Sequence, residues 1–257
     1  MNTINLNKFF LAMLLILPIS SFAQTTEDTA EHKHSGWDLE KSLVTEDHHA
    51  LVHPFLAHMG MPDGPGEMST RINSVEQRSG SMATGNYGFH LEAGLADKFG
   101  LHLRNDAVNS RPTSEMMLQY AVLKSASGLS GISIFGEAEF PTGPAAENND
   151  VNGLYGISFA YIVVPVIAIN STIHYGPRDQ MTEWEISFVK SLTDKIFPVL
   201  EFNGEIMKNG NSITNALIAW KFKIPNNNAL GIAYQFPASI RRDFDSQLLL
   251  QAEFGFH

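Results

Sequence analysis

Six of the ten histidines lie between His32 and His58, and the densest stretch reads His48-His49, His53, His58-Met59-Gly60-Met61. Neutral imidazoles bind copper, zinc and nickel, and a thioether sulfur selects copper(I). A helix over 42–53 would put His49 and His53 on one face at i, i+4, a bidentate arrangement. Pro54 would end that helix, so His58, Met59 and Met61 would approach from a separate turn before Asp63-Gly64-Pro65-Gly66. The candidate metal ligands are therefore His48, His49, His53, His58, Met59 and Met61, with copper or zinc as the ion. The competing reading is structural: histidines cost little in a solvated tail, and Phe55, Leu56 and Met59 can plug the mouth of the domain that follows.

Glu137/Glu139 and Glu183/Glu185 invite an acid–base reading. Spacing of i, i+2, however, simply places two residues on one face of a strand. No G-x-S-x-G elbow, H-E-x-x-H helix or phosphate-cradling glycine loop occurs. A hydrolase using His102 and a serine would have no identifiable nucleophile, and the expectation is a protein that is not an enzyme. Absence of cysteine removes disulfide frameworks, thiolate zinc sites, iron–sulfur centres and cysteine nucleophiles together. With 27 acidic and 17 basic residues, the net charge of −10 excludes a basic nucleic-acid binder.

These residues must be positioned by something, and the chain shows how. Residues 1–23 read as a secretory leader: Lys8, the apolar run Phe9–Leu17, Pro18, and small residues at Ser21-Phe22-Ala23 for cleavage. Losing Lys8 leaves 16 basic and 27 acidic residues, a net −11. Residues 24–66 form a periplasmic His/Met-rich segment, irregular or partly helical, with disorder expected for 24–35. From 67 to 257 the pattern alternates with period two. Leu248, Leu250, Ala252, Phe254 and Phe256 share one face, opposite Leu249, Gln251 and Glu253. Leu230, Ile232 and Tyr234 oppose Gly231, Ala233 and Gln235. About twelve such segments begin near residues 67, 84, 97, 115, 130, 151, 166, 181, 195, 212, 228 and 246. Most run about nine to thirteen residues, close to the ~9–11 that let a tilted strand cross a membrane. Short turns, as at 96–98 and 192–194, alternate with longer links, as at 77–83, 141–150 and 237–245. Aromatics gather near strand ends (Tyr175, Trp184, Phe197, Trp220, Phe236, Phe256), where interfacial girdles sit. The expected fold is all-β: a transmembrane antiparallel up-and-down β-barrel in the bacterial outer membrane, with both termini on the periplasmic side. A secreted β-sandwich is the soluble alternative.

Several stretches resemble the outer-membrane β-barrel family associated with meta-pathway phenol degradation. They are Glu92-Ala93-Gly94-Leu95-Ala96-Asp97 before Phe99-Gly100-Leu101, Glu139-Phe140-Pro141-Thr142-Gly143, Ser191-Leu192-Thr193-Asp194-Lys195 before Val199-Leu200-Glu201, and Gly231-Ile232-Ala233-Tyr234. The resemblance implies a channel for small, often hydrophobic molecules over residues 67–257, and no catalytic residue. If the apolar faces look at lipid, the lumen receives Glu92, Glu137, Glu139, Glu183, Glu185, Glu201, Glu205 and Glu253. Against these stand Arg71, Arg104, Lys221 and Lys223, with His90, His102 and His174. An excess of carboxylates favours cations or neutral solutes. About 8 strands give a filled interior and about 16 a channel, so twelve falls between. The expected function is a porin-like channel for passive passage or binding of a small solute or ion, with a cation-biased lumen. A non-conducting structural or metal-sensing barrel is the alternative. Expected partners are outer-membrane lipid, the solute and the barrel assembly machinery.

Overall fold

The computed structural model describes residues 53–105, 113–142, 151–164, 167–226 and 228–256. The expected leader, His48 and His49 lie outside these residues. Twelve strands follow one another: β1 (Met68–Ser79), β2 (Met82–Ala96), β3 (Phe99–Asn105), β4 (Thr113–Lys124), β5 (Gly131–Pro141) and β6 (Asn152–Val164). Then come β7 (Ile167–Gly176), β8 (Met181–Lys190), β9 (Ile196–Ile206), β10 (Ser212–Ile224), β11 (Asn228–Pro237) and β12 (Ser246–Phe256). Every strand pairs antiparallel with its sequence neighbours, and β1 closes on β12 from Met68↔Phe256 to Arg78↔Ser246. Closure leaves no edge, so the backbone groups of the wall are bonded within the wall, as a structure in hydrocarbon requires.

Alternation explains which side each residue faces. In β12, Leu248 and Leu250 are 44% and 53% exposed while Leu249 between them is 1% exposed. Ile72, Leu118, Ile134, Ile157, Ile173, Ile218 and Ile232 join them in an outward apolar belt. A belt of half-exposed aliphatics around a whole molecule is stable only against lipid, so this is a transmembrane barrel and not a sandwich.

The structure departs from the sequence reading at two places. Phe197, expected in the aromatic girdle, is 1% exposed and faces inward. Its parity is that of Val199 and Glu201, because Leu200 faces out. The β1–β2 link, expected to be long across 77–83, is a two-residue turn at Gly80-Ser81. Gly80 adopts φ 60°, which lets Ser79 pair directly with Met82. The helix expected over 42–53 lies outside the described residues apart from His53, and 53–67 runs through bends and turns.

Three bulges, at Gly94/Ala96, Ala121/Leu123 and Ile162/Val164, interrupt the ladders between β2 and β7. All lie at the short-turn end of the barrel, where residues 53–66 press against the wall. Bulges add local bend and twist to a strand, and here they flank the sites of closest approach.

Candidate functional site

Residues 53–66 fill the interior toward the short-turn end of the barrel. This segment carries Pro54, Pro62 and Pro65 with Gly60, Gly64 and Gly66, a composition that forbids both helix and a regular strand. Its backbone groups must therefore bond to side chains, and the inner wall supplies them. Glu201 accepts the amides of Phe55 (2.5 Å), Leu56 (2.9 Å) and Ala57 (3.3 Å). Glu185 accepts the amide of His58 at 2.8 Å, and Asn170 Oδ1 that of Gly60 at 3.0 Å. Carbonyls are met in turn: His53 by Lys221 Nζ, Pro54 by Arg71, Phe55 by Arg71 and Gln251, Met59 by Gln119, and Gly60 by Ser133. The segment is a plug.

Packing completes the fit. The Phe55 ring is fully buried against Gly231 among Val189, Phe197, Val199, Leu217, Ala219, Ala233 and Leu249. A side chain at Gly231 would meet that ring at 2.5 Å. Gly100 gives room to Pro62, and Gly94 to the Gly64 carbonyl. Met61 lies with Ala121 and Ala160, its sulfur against Gly131. Met61, expected as a thioether ligand, thus serves apolar packing, and Met59 is buried with its carbonyl on Gln119.

The predicted lumen carboxylates fall into two sets. Glu92, Glu201 and Glu253 lie buried at plug level. Arg71 bonds Glu92, and Lys221 reaches Glu253 at 2.8 Å. His53 sits between Asp63, Glu92 and Glu253 at 3.5–3.6 Å. His102 Nδ1 stands 3.5 Å from the same Glu92. The second set, Glu137, Glu139, Glu183, Glu185 and Glu205, lines a cavity of about 480 Å³ above the plug, with Leu56 and His58 on its floor. Glu115 and Asp243 add two more carboxylates, and Arg104 is the guanidinium facing them. The cavity lies on the long-loop side, where Asp243 and Phe244 come from the β11–β12 connection.

Contacts within this vestibule are ionic and layered. His58 Nδ1 bonds Glu185 at 2.9 Å, and Arg104 stands 3.8 Å from both Glu115 and Glu185. His174 pairs with Glu183 at 3.1 Å, and Asn152 bridges Glu139 and Asp179. The His58 ring meets His90 and His174 edge-on, at 5.7 and 6.3 Å. Burial alone would discharge His58, but the Glu185 carboxylate and its hydrogen bond outweigh it and raise the pKa to about 9. Glu115, Glu137 and Glu139 bring carboxylate oxygens within 4.8 Å of one another, a site suited to a cation.

Sequence reasoning did not single out Glu115, Gln119, Asp63 or Asp243. The first two were within reach, since Glu115, Met117 and Gln119 alternate inward on β4. Asp63 and Asp243 lie in irregular segments, where no period says which way a side chain faces.

No known family matches the sequence, and no curated protein does. Solved structures do match. A KdgM porin in complex with disordered oligogalacturonate superposes with TM-score 0.53 at 7% identity, over 74% of this chain and 99% of that one. An outer-membrane channel from Pseudomonas putida F1 gives 0.52 at 8% identity, over 76% and 97%. The NanC porin gives 0.50 at 10% identity, over 72% and 97%. At these identities the likeness is one of fold: this chain has the architecture of outer-membrane porin and channel barrels.

Proposed function

We propose that this protein is an outer-membrane channel whose lumen opens to the outside as an acidic vestibule and is closed toward the periplasm by its own residues 53–66. In outer-membrane barrels the long loops face outward and the short turns face the periplasm, which sets that orientation. One observation carries the reading: a cavity of about 480 Å³ with seven carboxylates against one arginine and one histidine, floored by the plug. Field lines from carboxylates in a narrow, low-dielectric cup concentrate cations. The cargo is therefore a small cationic or neutral solute, divalent metal ions included. A polyanion such as the oligogalacturonate held by KdgM would be repelled here. The resemblance to barrels of meta-pathway phenol degradation makes a small aromatic molecule the neutral solute to test. Passage is passive and requires the plug to shift. Assembly into lipid would use the barrel assembly machinery, as for other chains of this fold.

Bilayer recordings on the mature chain and on a chain lacking residues 24–66 test this. The expected result is brief or small openings in the first, large steady ones in the second, and cation selectivity in both. Silence from both chains would leave the second reading, a non-conducting structural or metal-sensing barrel, which the dense bonding between plug and wall favours.

A further inference from the structure

A group of imidazoles around Glu92 is used neither by the plug's backbone bonds nor by the vestibule. His90 and Glu92 are two residues apart on β2 and both face inward, and Glu92 pairs across the ladder with His102 of β3. All three are at most 3% exposed. His102 Nε2 lies 3.1 Å from Gln119 Oε1. Gln119 is oriented from its other end, because its Nε2 donates to the Met59 carbonyl and to Ser133 and Ser158. Its oxygen therefore accepts from His102 Nε2–H, so in the neutral ring the lone pair that can hold a metal is on Nδ1.

That lone pair faces the Glu92 carboxylate at 3.5 Å and has no hydrogen-bond partner among the described residues. His90 Nε2 is buried without one as well. Arg71 offsets the Glu92 charge but leaves both imidazole nitrogens without a partner in a dry interior, and an ion held between them and the carboxylate would supply one. Ligand atoms of all three residues fall within 4.8 Å of one another. The set is two histidines and a glutamate, with one imidazole anchored through its far nitrogen. That is the three-ligand pattern and outer-shell support found around zinc.

The plug reaches the same carboxylate. His53 lies 3.5 Å from Glu92 and 3.6 Å from Asp63, so both ends of the plug loop meet at this point. Arg71 and Lys221 stand nearby against Glu92, Asp63 and Glu253, leaving one net negative charge for an incoming divalent ion.

We propose that His90, Glu92 and His102 form a zinc-class divalent metal site on the inner wall, and that His53 and Asp63 close over it from the plug, so that the bound ion pins the plug to β2 and β3. The pinning half rests on the reading that residues 53–66 close the lumen. The ligand half does not.

The test uses the full mature chain, stripped with EDTA, desalted and titrated with zinc chloride. Cobalt(II) serves as the coloured stand-in, and barrel closure is checked by heat-dependent gel mobility. The comparison is the double variant His90→Ala/His102→Ala. The expected result is one more zinc ion per closed chain in the wild type, with a visible cobalt band that the double variant lacks. Histidines of residues 32–49 contribute equally to both chains. Equal zinc content and identical cobalt spectra in the two closed chains overturn the site. Should the double variant fail to close, Gln119→Leu decides: it keeps every ligand but frees the His102 tautomer, and zinc should bind about 10–100-fold more weakly. Unchanged affinity overturns the site. EDTA should raise the bilayer conductance of the wild type, and zinc should reverse the rise. Bound zinc with conductance indifferent to EDTA overturns the pinning. A barrel silent in every form that still holds the extra zinc sinks the channel reading and supports the ligand set; a conducting barrel without it does the reverse.

Discussion

A carboxylate on the inner wall of a barrel can attract a passing ion or hold something fixed, and Glu201 holds. Three successive amides and Ser187 Oγ bond to it. Bonds to a charged acceptor contribute about 1.5–3 kcal/mol and neutral ones about 0.5–1.5. Glu201→Gln, which keeps the shape and removes the charge, should therefore loosen the plug by about 1–3 kcal/mol. Protease cleavage within 53–66 should accelerate at least about fivefold while the barrel remains closed; an unchanged cleavage rate would show that Glu201 is not an anchor. His58 predicts a pH dependence. Its folded pKa of about 9 lies above the ordinary 6.5, so its bond to Glu185 stabilises the docked plug fully below pH 6.5. That contribution is lost as pH rises through about 9, and cleavage should speed up there in the wild type but not in His58→Ala. Inward faces were legible at this scale, because parity alone puts Glu201 and Glu185 inside. Their partners were not, since alternation carries no information about a distant irregular segment.

At the scale of the element, the plug is a proline- and glycine-rich loop that has no regular structure of its own and borrows its bonds from the wall. Its apolar anchor is Phe55, against Gly231 and a layer of alanines and valines. Phe55→Ala should cost about 3–5 kcal/mol of docking, and Gly231→Leu should act equally by filling the same space from the wall. Both should raise conductance with the barrel still resistant to SDS at low temperature. A closed, quiet channel in either variant would mean that the aromatic is not what seats the loop. The strands themselves were readable to within two residues at their starts, because period-two alternation is a local property. The tight Gly80-Ser81 hairpin was hidden: the polar stretch after Gln77 resembles a loop, yet one glycine at positive φ lets the ladder run to its end.

For the whole molecule, the proposed channel makes the vestibule the part that sets the sign of what enters. Replacing Glu115, Glu137 and Glu139 with glutamine removes three of its seven carboxylates. The reversal potential in a potassium chloride gradient should shift toward that of a non-selective pore. High salt should weaken the selectivity of the wild type in the same direction, because a Debye length of about 3 Å at 1 M screens charges across the cup. Selectivity that survives both changes would place the filter elsewhere. Length, charge and alternation were enough to specify a twelve-stranded transmembrane barrel, because lipid outside and closure of the ladder impose a repeat on every strand. They also placed an acidic excess on the inner faces. How residues 53–66 sit among the inner faces depended on contacts reaching as far as 196 residues along the sequence, such as Gly60 with Asn170 and Phe55 with Gln251. No local pattern encodes such contacts; they exist only once closure brings all twelve inner faces around one loop.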